Sequence, residues 1–270
     1  ELLESRGDKI GDKILSYSKE KFIPNRVKHF VNRCDLVFTP TETMKGYLLQ
    51  SGAESKIEIL PTGLEDEYFD LNGNESKEIR NTYIGDNKYL FCTVSRLSKE
   101  KNLHFFIDGL LELKNKIGDC FNTMVIGDGP LKKELEERVQ RLGLHNNVTF
   151  IGKVDNKKIK DYYGACDLFL FSSKSETQGI VLLEAMASKL PVVAVKASGV
   201  MDVVKNDVNG YMTTENKEYW AKRILDIIMN NNLRLKLKDG AFRTSKEYSN
   251  SKIAKLALHY YEKVILECYR

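Results

Sequence analysis

The stretch Leu168–Val195, "LFLFSSKSETQGIVLLEAMASKLPVVAV", decides the fold. It opens on "LFLFSS" and closes on "PVVAV", short apolar runs that read as strands buried on both faces. Between them, the segment from Gly179 to Ala187 is apolar nearly all round and reads as a largely buried helix. Strand, helix and strand in succession form a parallel crossover unit. Two acids interrupt this apolar stretch: Glu176 in the loop after the first strand, and Glu184 inside the helix. An unpaired buried carboxylate is expensive enough that the group would sooner neutralise. Glu184 must therefore meet donors, from protein or ligand.

Working outward, the same alternation begins at Tyr89. "YLFCTVSRL" reads as a buried strand, "KNLHFFIDGLLELKNKI" as a helix, "NTMVIGDGP" as strand and turn, "LKKELEERVQRLGL" as a helix and "NVTFIG" as a strand. The sum is an α/β protein with a doubly wound, Rossmann-like parallel sheet, which binds ligands at the carboxyl ends of its strands. Ahead of it, "RVKHFVNRCDLVFTPTETMKGYLLQSG" reads as helix, strand, helix, and "IEILPTGL" as one more strand. These pieces are too few for a domain. Residues 1–65 are expected to be the end of a truncated amino-terminal domain, 66–88 a polar linker and 89–248 the Rossmann-like domain. Residues 249–270 are expected to form a helix that packs back onto the amino-terminal part. The charged start "ELLESRGDKIGDK" has neither an initiator Met nor a signal-peptide pattern, and is expected to be a cut from a longer chain.

Composition narrows the class. At 270 residues, 42% hydrophobic and 30% charged, the chain has the balance of a soluble globular protein. No apolar run approaches the roughly 20 residues of a membrane span. Five scattered cysteines without C-x-x-C spacing fit a reducing, cytoplasmic setting, and four histidines without ligand spacing argue against zinc. A net charge of +4 is too mild to argue for nucleic acid. From Glu215 to Arg270 there are twelve Lys or Arg against seven Asp or Glu. That surplus could lean on an anionic membrane, although a solvated helical face is the plainer reading.

Candidate chemistry gathers at strand ends. "RLSKEKN" puts Arg96 at the end of the first strand of the domain and Lys101 beside the next helix, a combination suited to a phosphate or diphosphate. The plain alternative is two surface cations, with Lys101 answering Glu100. "GDGP", Gly127 to Pro130, permits close backbone approach at Gly129 but lacks the third glycine of a dinucleotide fingerprint. The backbone from Gly152 to Val154, ending "FIGKV", could face a base. Glu184 lies about 7.5 Å along the helix axis from Gly179, so the two acids occupy different stations around one ligand. Paired hydroxyls of sugars and riboses are natural partners for both. The competing readings are an internal ion pair of Glu184 with Arg96 or Lys101, and a solvated Glu176.

"SRLSKEKN", "VIGDGP", "FIGKV", "ETQGIVLLEAMASKLPVVA" and "VVKNDVNGY", in this order, resemble the carboxyl-terminal domain of family 4 glycosyltransferases, retaining enzymes of the GT-B fold. "CDLVFTPTETMKGYL" and "ILPTGL" resemble the segment joining the two domains of that family. The resemblance implies that Arg96 and Lys101 hold the donor diphosphate and offset charge on the leaving group, that Glu176 contacts the transferred sugar, and that Glu184 binds the ribose hydroxyls. It also implies that the backbone from Thr177 through Gln178 and Gly179 to Ile180 reaches sugar or phosphate, and that no metal or other cofactor is required. "ETQG", "TPTETMKGYL" and "PTGL" look most like the diacylglycerol glucosyltransferase-like branch. That likeness implies a UDP-hexose donor, UDP-glucose in particular, an acceptor such as a membrane lipid, and peripheral contact with the inner face of the membrane. Two positions depart from the pattern: Lys189, where Gly is usual, and Asp202, where Glu is common.

In this family the amino-terminal domain supplies the acceptor pocket, so the chain by itself is expected to bind donor and to transfer poorly. A non-catalytic nucleotide-sugar binding module is the alternative. An NAD-dependent Rossmann enzyme is weakened by the absent glycine fingerprint and by the lack of a ribose-binding acid after the second strand.

Overall fold

The computed structural model describes residues 26–70 and 73–268. The charged start of the chain therefore lies outside the described residues. The chain divides into two units, Glu1–Leu60 with Ala257–Arg270, and Pro61–Leu256.

In the first unit, residues 26–31 are helical and are followed by β1 (Leu36–Thr39), α1 (Glu42–Gln50) and β2 (Lys56–Ile59). The two strands pair in parallel, Leu36 opposite Lys56 through Thr39 opposite Ile59. Helix α1 starts at Thr41, whose hydroxyl accepts from the Met44 amide at 3.2 Å, the usual way to satisfy a free N-terminal N–H. The Phe38 ring lies 5.7 Å from the rings of both Tyr260 and Tyr261, and Lys56 pairs with Glu267 at 3.0 Å.

The second unit is built on a six-stranded parallel sheet. Its strands are β3 (Tyr89–Val94), β4 (Phe121–Ile126), β5 (Val148–Gly152), β6 (Leu168–Phe171), β7 (Val192–Val195) and β8 (Gly210–Thr213). They lie in the order β5-β4-β3-β6-β7-β8. With β3 counted as the first strand this is 3-2-1-4-5-6, the doubly wound arrangement of dinucleotide-binding folds. The strands are apolar along their length because both faces are covered. Tyr89, Phe91, Leu168, Leu170 and Val193 point into one core layer, and Leu90, Cys92, Phe169, Phe171, Val192 and Ala194 into the other.

The first layer is closed by α3 (Leu103–Ile117), α4 (Lys132–Arg141) and α8 (Lys217–Met229). Its centre is Trp220, fully buried and set edge-on to Phe105 and Phe106 at 6.0 and 5.6 Å. The second layer is closed by α5 (Ile159–Gly164), α6 (Ile180–Ala187), the short α7 (Val200–Val203) and α9 (Asn231–Lys246). A last helix, α10, spans Asn250–Cys268. Among the described residues no helix is long and apolar enough to cross a membrane.

The structure departs from the sequence reading in two places. Residues 66–88, expected as a polar linker, contain a 3-10 turn (Asp66–Phe69) and helix α2 (Gly73–Ile84). Arg80 of α2 donates to the Ala165 carbonyl at 2.8 Å and to Asp167 at 3.0 Å, and the Tyr83 carbonyl accepts from Asn122 at 2.7 Å. Arg80 and the packing of Tyr68, Phe69, Ile79, Tyr83 and Ile84 against the second core layer hold the segment in place. The second departure is β8, a strand to which the sequence reading assigns no element. Its four residues pair with the whole of β7, and Gly210 is required because a Cβ there would stand 2.0 Å from the Val192 carbonyl oxygen.

Candidate functional site

The strand order reverses between β3 and β6, and that is where a doubly wound sheet opens a crevice at its carboxyl edge. A cavity of about 780 Å³ lies there, walled by Arg96, Asp128, Gly129, Lys153, Val154 and Glu184 among others. A second cavity of about 290 Å³ adjoins it and shares Asn156 and Glu184 as common wall. Ile180 and Tyr68 line this smaller space.

Arg96 is exposed and sits where the chain leaves β3. Its neighbours fix its backbone: the Ser95 amide donates to Ile126 at 3.1 Å, Leu97 donates to Asp128 at 3.0 Å, and Leu131 donates back to Leu97 at 3.0 Å. The glycines of "GDGP" exist for this approach. A Cβ on Gly127, whose φ is 130°, would fall 1.9 Å from the Ser95 oxygen, and one on Gly129 would fall 2.5 Å from the Leu97 oxygen. Gly152 differs, with φ of 82° and open space where a Cβ would stand, while its carbonyl accepts from Gly127 at 2.8 Å.

Lys101 ends the 3-10 turn Lys99–Lys101 and meets Glu176, Nζ to Oε1, at 2.6 Å. Both side chains are largely withdrawn from solvent, 19% and 14% exposed, which sets this pair apart from the surface ion pairs around it. Glu100 turns instead to the Ser98 hydroxyl at 2.5 Å, a bond that holds its carboxyl below the usual range. Neither plain alternative therefore holds, since Lys101 answers Glu176 rather than Glu100, and Glu176 is not a solvated acid. The loop carrying Glu176 is stitched down on both sides. Ser172 donates to the Lys101 carbonyl at 2.8 Å, Lys174 donates to the Glu100 carbonyl at 2.9 Å, and Ser198 donates to the Glu176 carbonyl at 2.9 Å. Gly199, at φ 66°, lets that contact close, because a Cβ there would lie 2.8 Å from the Glu176 oxygen and 3.1 Å from the Thr177 carbonyl carbon.

Gln178 is buried, and its side chain is spent on the main chain of Thr62: its amide nitrogen donates to the Thr62 carbonyl at 2.9 Å, and its oxygen accepts from the Thr62 amide at 2.8 Å. Only its backbone is left for a ligand. Gly179 caps α6 in a left-handed conformation, φ 70°. Glu184 has no cation partner among the described residues, contrary to the ion-pair alternative. Its Oε2 accepts from the Tyr163 hydroxyl at 3.0 Å, and Tyr68 lines the smaller cavity beside it. Burial raises its carboxyl above the usual 4.5, and the two phenols oppose that rise. Burial beside the same carboxylate pushes both phenols up.

The structure thus gathers Arg96, Gly129, Val154 and Glu184 on one cavity, places Ile180 on the adjoining one, and pairs Lys101 with Glu176. It turns the Gln178 side chain away. Among the described residues no group of three or more His, Cys, Asp or Glu could hold a metal ion. Sequence reasoning missed Tyr163, Tyr68, Thr62 and Ser198. Tyr163 alone left a trace, as an aromatic hydroxyl that needs a polar partner once its ring is buried. Lys189, the residue that departs from the usual Gly, takes φ of 60°, and its ammonium lies 5.1 Å over the Phe242 ring.

A doubly wound sheet with basic and acidic groups around a crevice at its switch point defines a nucleotide-handling α/β domain. The family model described as glycosyl transferases group 1 matches residues 74–244, and the chain belongs to that family. It is 32% identical over 172 residues to an alpha-monoglucosyldiacylglycerol synthase of Streptococcus pneumoniae, covering 62% of this chain and 39% of that protein. To the synthase of the same name from Acholeplasma laidlawii it is 25% identical over 248 residues, covering 87% and 62%. The crystal structure of Anabaena Alr3699/HepE in complex with UDP-glucose superposes with a TM-score of 0.78 at 26% identity, covering 88% of this chain and 68% of that one. The chain thus spans 39% and 62% of the length of the two curated relatives. Its fold is that of the carboxyl-terminal half of GT-B enzymes.

Proposed function

We propose that this chain is the donor-binding part of a retaining glycosyltransferase that transfers a hexose, glucose in particular, from a UDP-sugar to an acceptor such as diacylglycerol. The observation that carries the reading is the placement of Arg96 and Glu184 on one cavity at the switch point, with the Lys101–Glu176 pair held by the loops beside it. The UDP-glucose complex of HepE supports the donor, and the two diacylglycerol synthase relatives support a lipid acceptor.

In this reading Glu184 accepts from the ribose hydroxyls, and the backbone at Lys153 and Val154 faces the base. Arg96 and Lys101 lie against the diphosphate. When the bond from the anomeric carbon to the diphosphate oxygen breaks and the acceptor oxygen bonds to that carbon with loss of its hydroxyl proton, negative charge collects on the leaving group. Fixed cations and the N-terminal amides of α6 stabilise it there without rearranging. Glu176, held by Lys101, receives a sugar hydroxyl. The acceptor pocket belongs to the part of the family's fold that the chain does not span, so the chain by itself binds donor and turns over poorly.

Calorimetry with UDP, GDP and NAD tests this. UDP should bind in the micromolar range and weaken about tenfold in Glu184→Ala, roughly 1.4 kcal/mol. Binding of NAD in place of UDP would overturn the reading.

A further inference from the structure

We infer that Tyr163 and Tyr68 are positioning residues for Glu184, gripping its carboxylate from the protein side so that it is presented to a vicinal diol in the cavity. The inference rests on the donor reading above and deepens it.

Glu184 lies on α6 between Leu183 and Ala185, both fully buried, at the wall between the two cavities. Among the described residues no cation pairs with it, and its charge is met by the Tyr163 hydroxyl. A carboxylate offers about four acceptor sites. Tyr163 occupies one of them, Tyr68 stands beside the carboxylate in the smaller cavity, and the remaining sites can take the two hydroxyls of a ribose. The two phenols come from separate elements, Tyr163 from α5 and Tyr68 from the 3-10 turn Asp66–Phe69. Tyr163 has no freedom to swing away: it is fully buried, and its ring stands edge-on to Phe169 at 5.6 Å. Removing either hydroxyl frees the carboxylate to rotate and withdraws a donor that favours its charged form. Protonation then becomes easier, and a protonated Glu184 has fewer acceptor sites for a diol.

Other charged groups share this environment. Glu65, Glu67, Lys157 and Lys160 line the smaller cavity with Glu184 and Tyr68, and Arg96, Asp128 and Lys153 line the larger one. Glu184→Gln keeps all of them and removes only the titration of interest, so it serves as the control.

The test measures affinity for UDP and for 2′-deoxy-UDP between pH 5 and 9 in the unaltered chain, Tyr163→Phe, Tyr68→Phe and Glu184→Gln. The unaltered chain should prefer UDP by about tenfold, one charge-assisted hydrogen bond. UDP affinity should fall as pH drops through the Glu184 carboxyl, and Glu184→Gln should flatten that fall. Both phenylalanine variants should move the fall to higher pH and narrow the UDP preference at the acidic end of the range, with recovery as pH rises. Tyr68 is only half-buried, so Tyr68→Phe decides the matter if Tyr163→Phe does not fold. Superimposable pH curves with an undiminished UDP preference would overturn the role of the phenols while leaving the donor reading intact. If the unaltered chain binds neither nucleotide, the donor reading fails. A ¹³C titration of the Glu184 carboxyl in the unaltered and Tyr68→Phe chains then decides the grip separately, an unmoved midpoint refuting it.

Discussion

Replacing Gly127 by Ala tests whether the loop that carries Arg96 is set by its neighbour across the sheet. The new Cβ would start 1.9 Å from the Ser95 oxygen, where an ordinary carbon–oxygen contact is about 3.4 Å, so one backbone must retreat by about 1.5 Å. Neither can do so freely. Ser95 and Leu97 are bonded to Ile126 and Asp128, and Gly127 itself donates to Gly152. Overpacking of this kind costs about 1–3 kcal/mol. Holding a non-glycine residue at φ 130° costs about 1–3 kcal/mol more. The total, about 2–6 kcal/mol, corresponds to a melting point lower by roughly 5–20 °C at this chain size. Gly143→Ala provides the control, since Gly143 has φ of 65° but nothing within 4 Å of a Cβ, so only the conformational cost of about 1–2 kcal/mol applies. Thermal denaturation should place Gly127→Ala below Gly143→Ala. Calorimetry should show UDP affinity reduced at least about tenfold in the first and unchanged in the second. A Gly127→Ala chain that melts at or above the control and binds UDP normally would refute the claim that this contact positions Arg96.

Other outcomes follow from the same geometry. Burial raises the Glu184 carboxyl in the folded chain, so its proton favours folding fully below about pH 4.5 and that contribution is lost as pH rises through the raised value. The melting point of Glu184→Gln relative to the unaltered chain should therefore climb across that window, and a flat difference would count against a buried, elevated carboxyl. Lys101→Met and Glu176→Gln should show a coupling of about 1–2 kcal/mol in a double-mutant cycle, between the values for exposed and buried pairs; additive effects would mean the 2.6 Å contact contributes nothing. Gln178→Ala removes both hydrogen bonds to Thr62, at about 1–3 kcal/mol, and should speed hydrogen exchange of the Thr62 amide. Unchanged exchange would mean that amide is protected by something else.

The alternation of apolar runs and helical segments from Tyr89 to Val195 determined the parallel, doubly wound sheet, because strands covered on both faces leave a continuous apolar signature. Arg96, Lys101, Glu176 and Glu184 were legible for the same reason, since charges next to such runs stand at strand ends or inside buried helices. What stayed hidden lacked a local signal. β8 is four residues long and exists through pairing with β7. Helix α2 carries no buried residue of its own and is held by Arg80 and by what packs beside it. The partners within the site were also decided only in three dimensions. Gln178 meets Thr62 from 116 positions away, and Lys101 meets Glu176 from 75. A sequence shows that a buried carboxylate needs donors, because that cost is local to the residue. Which donors arrive depends on which loops the sheet order brings to one edge, and that is how Tyr163, rather than the cations of the competing reading, came to meet Glu184.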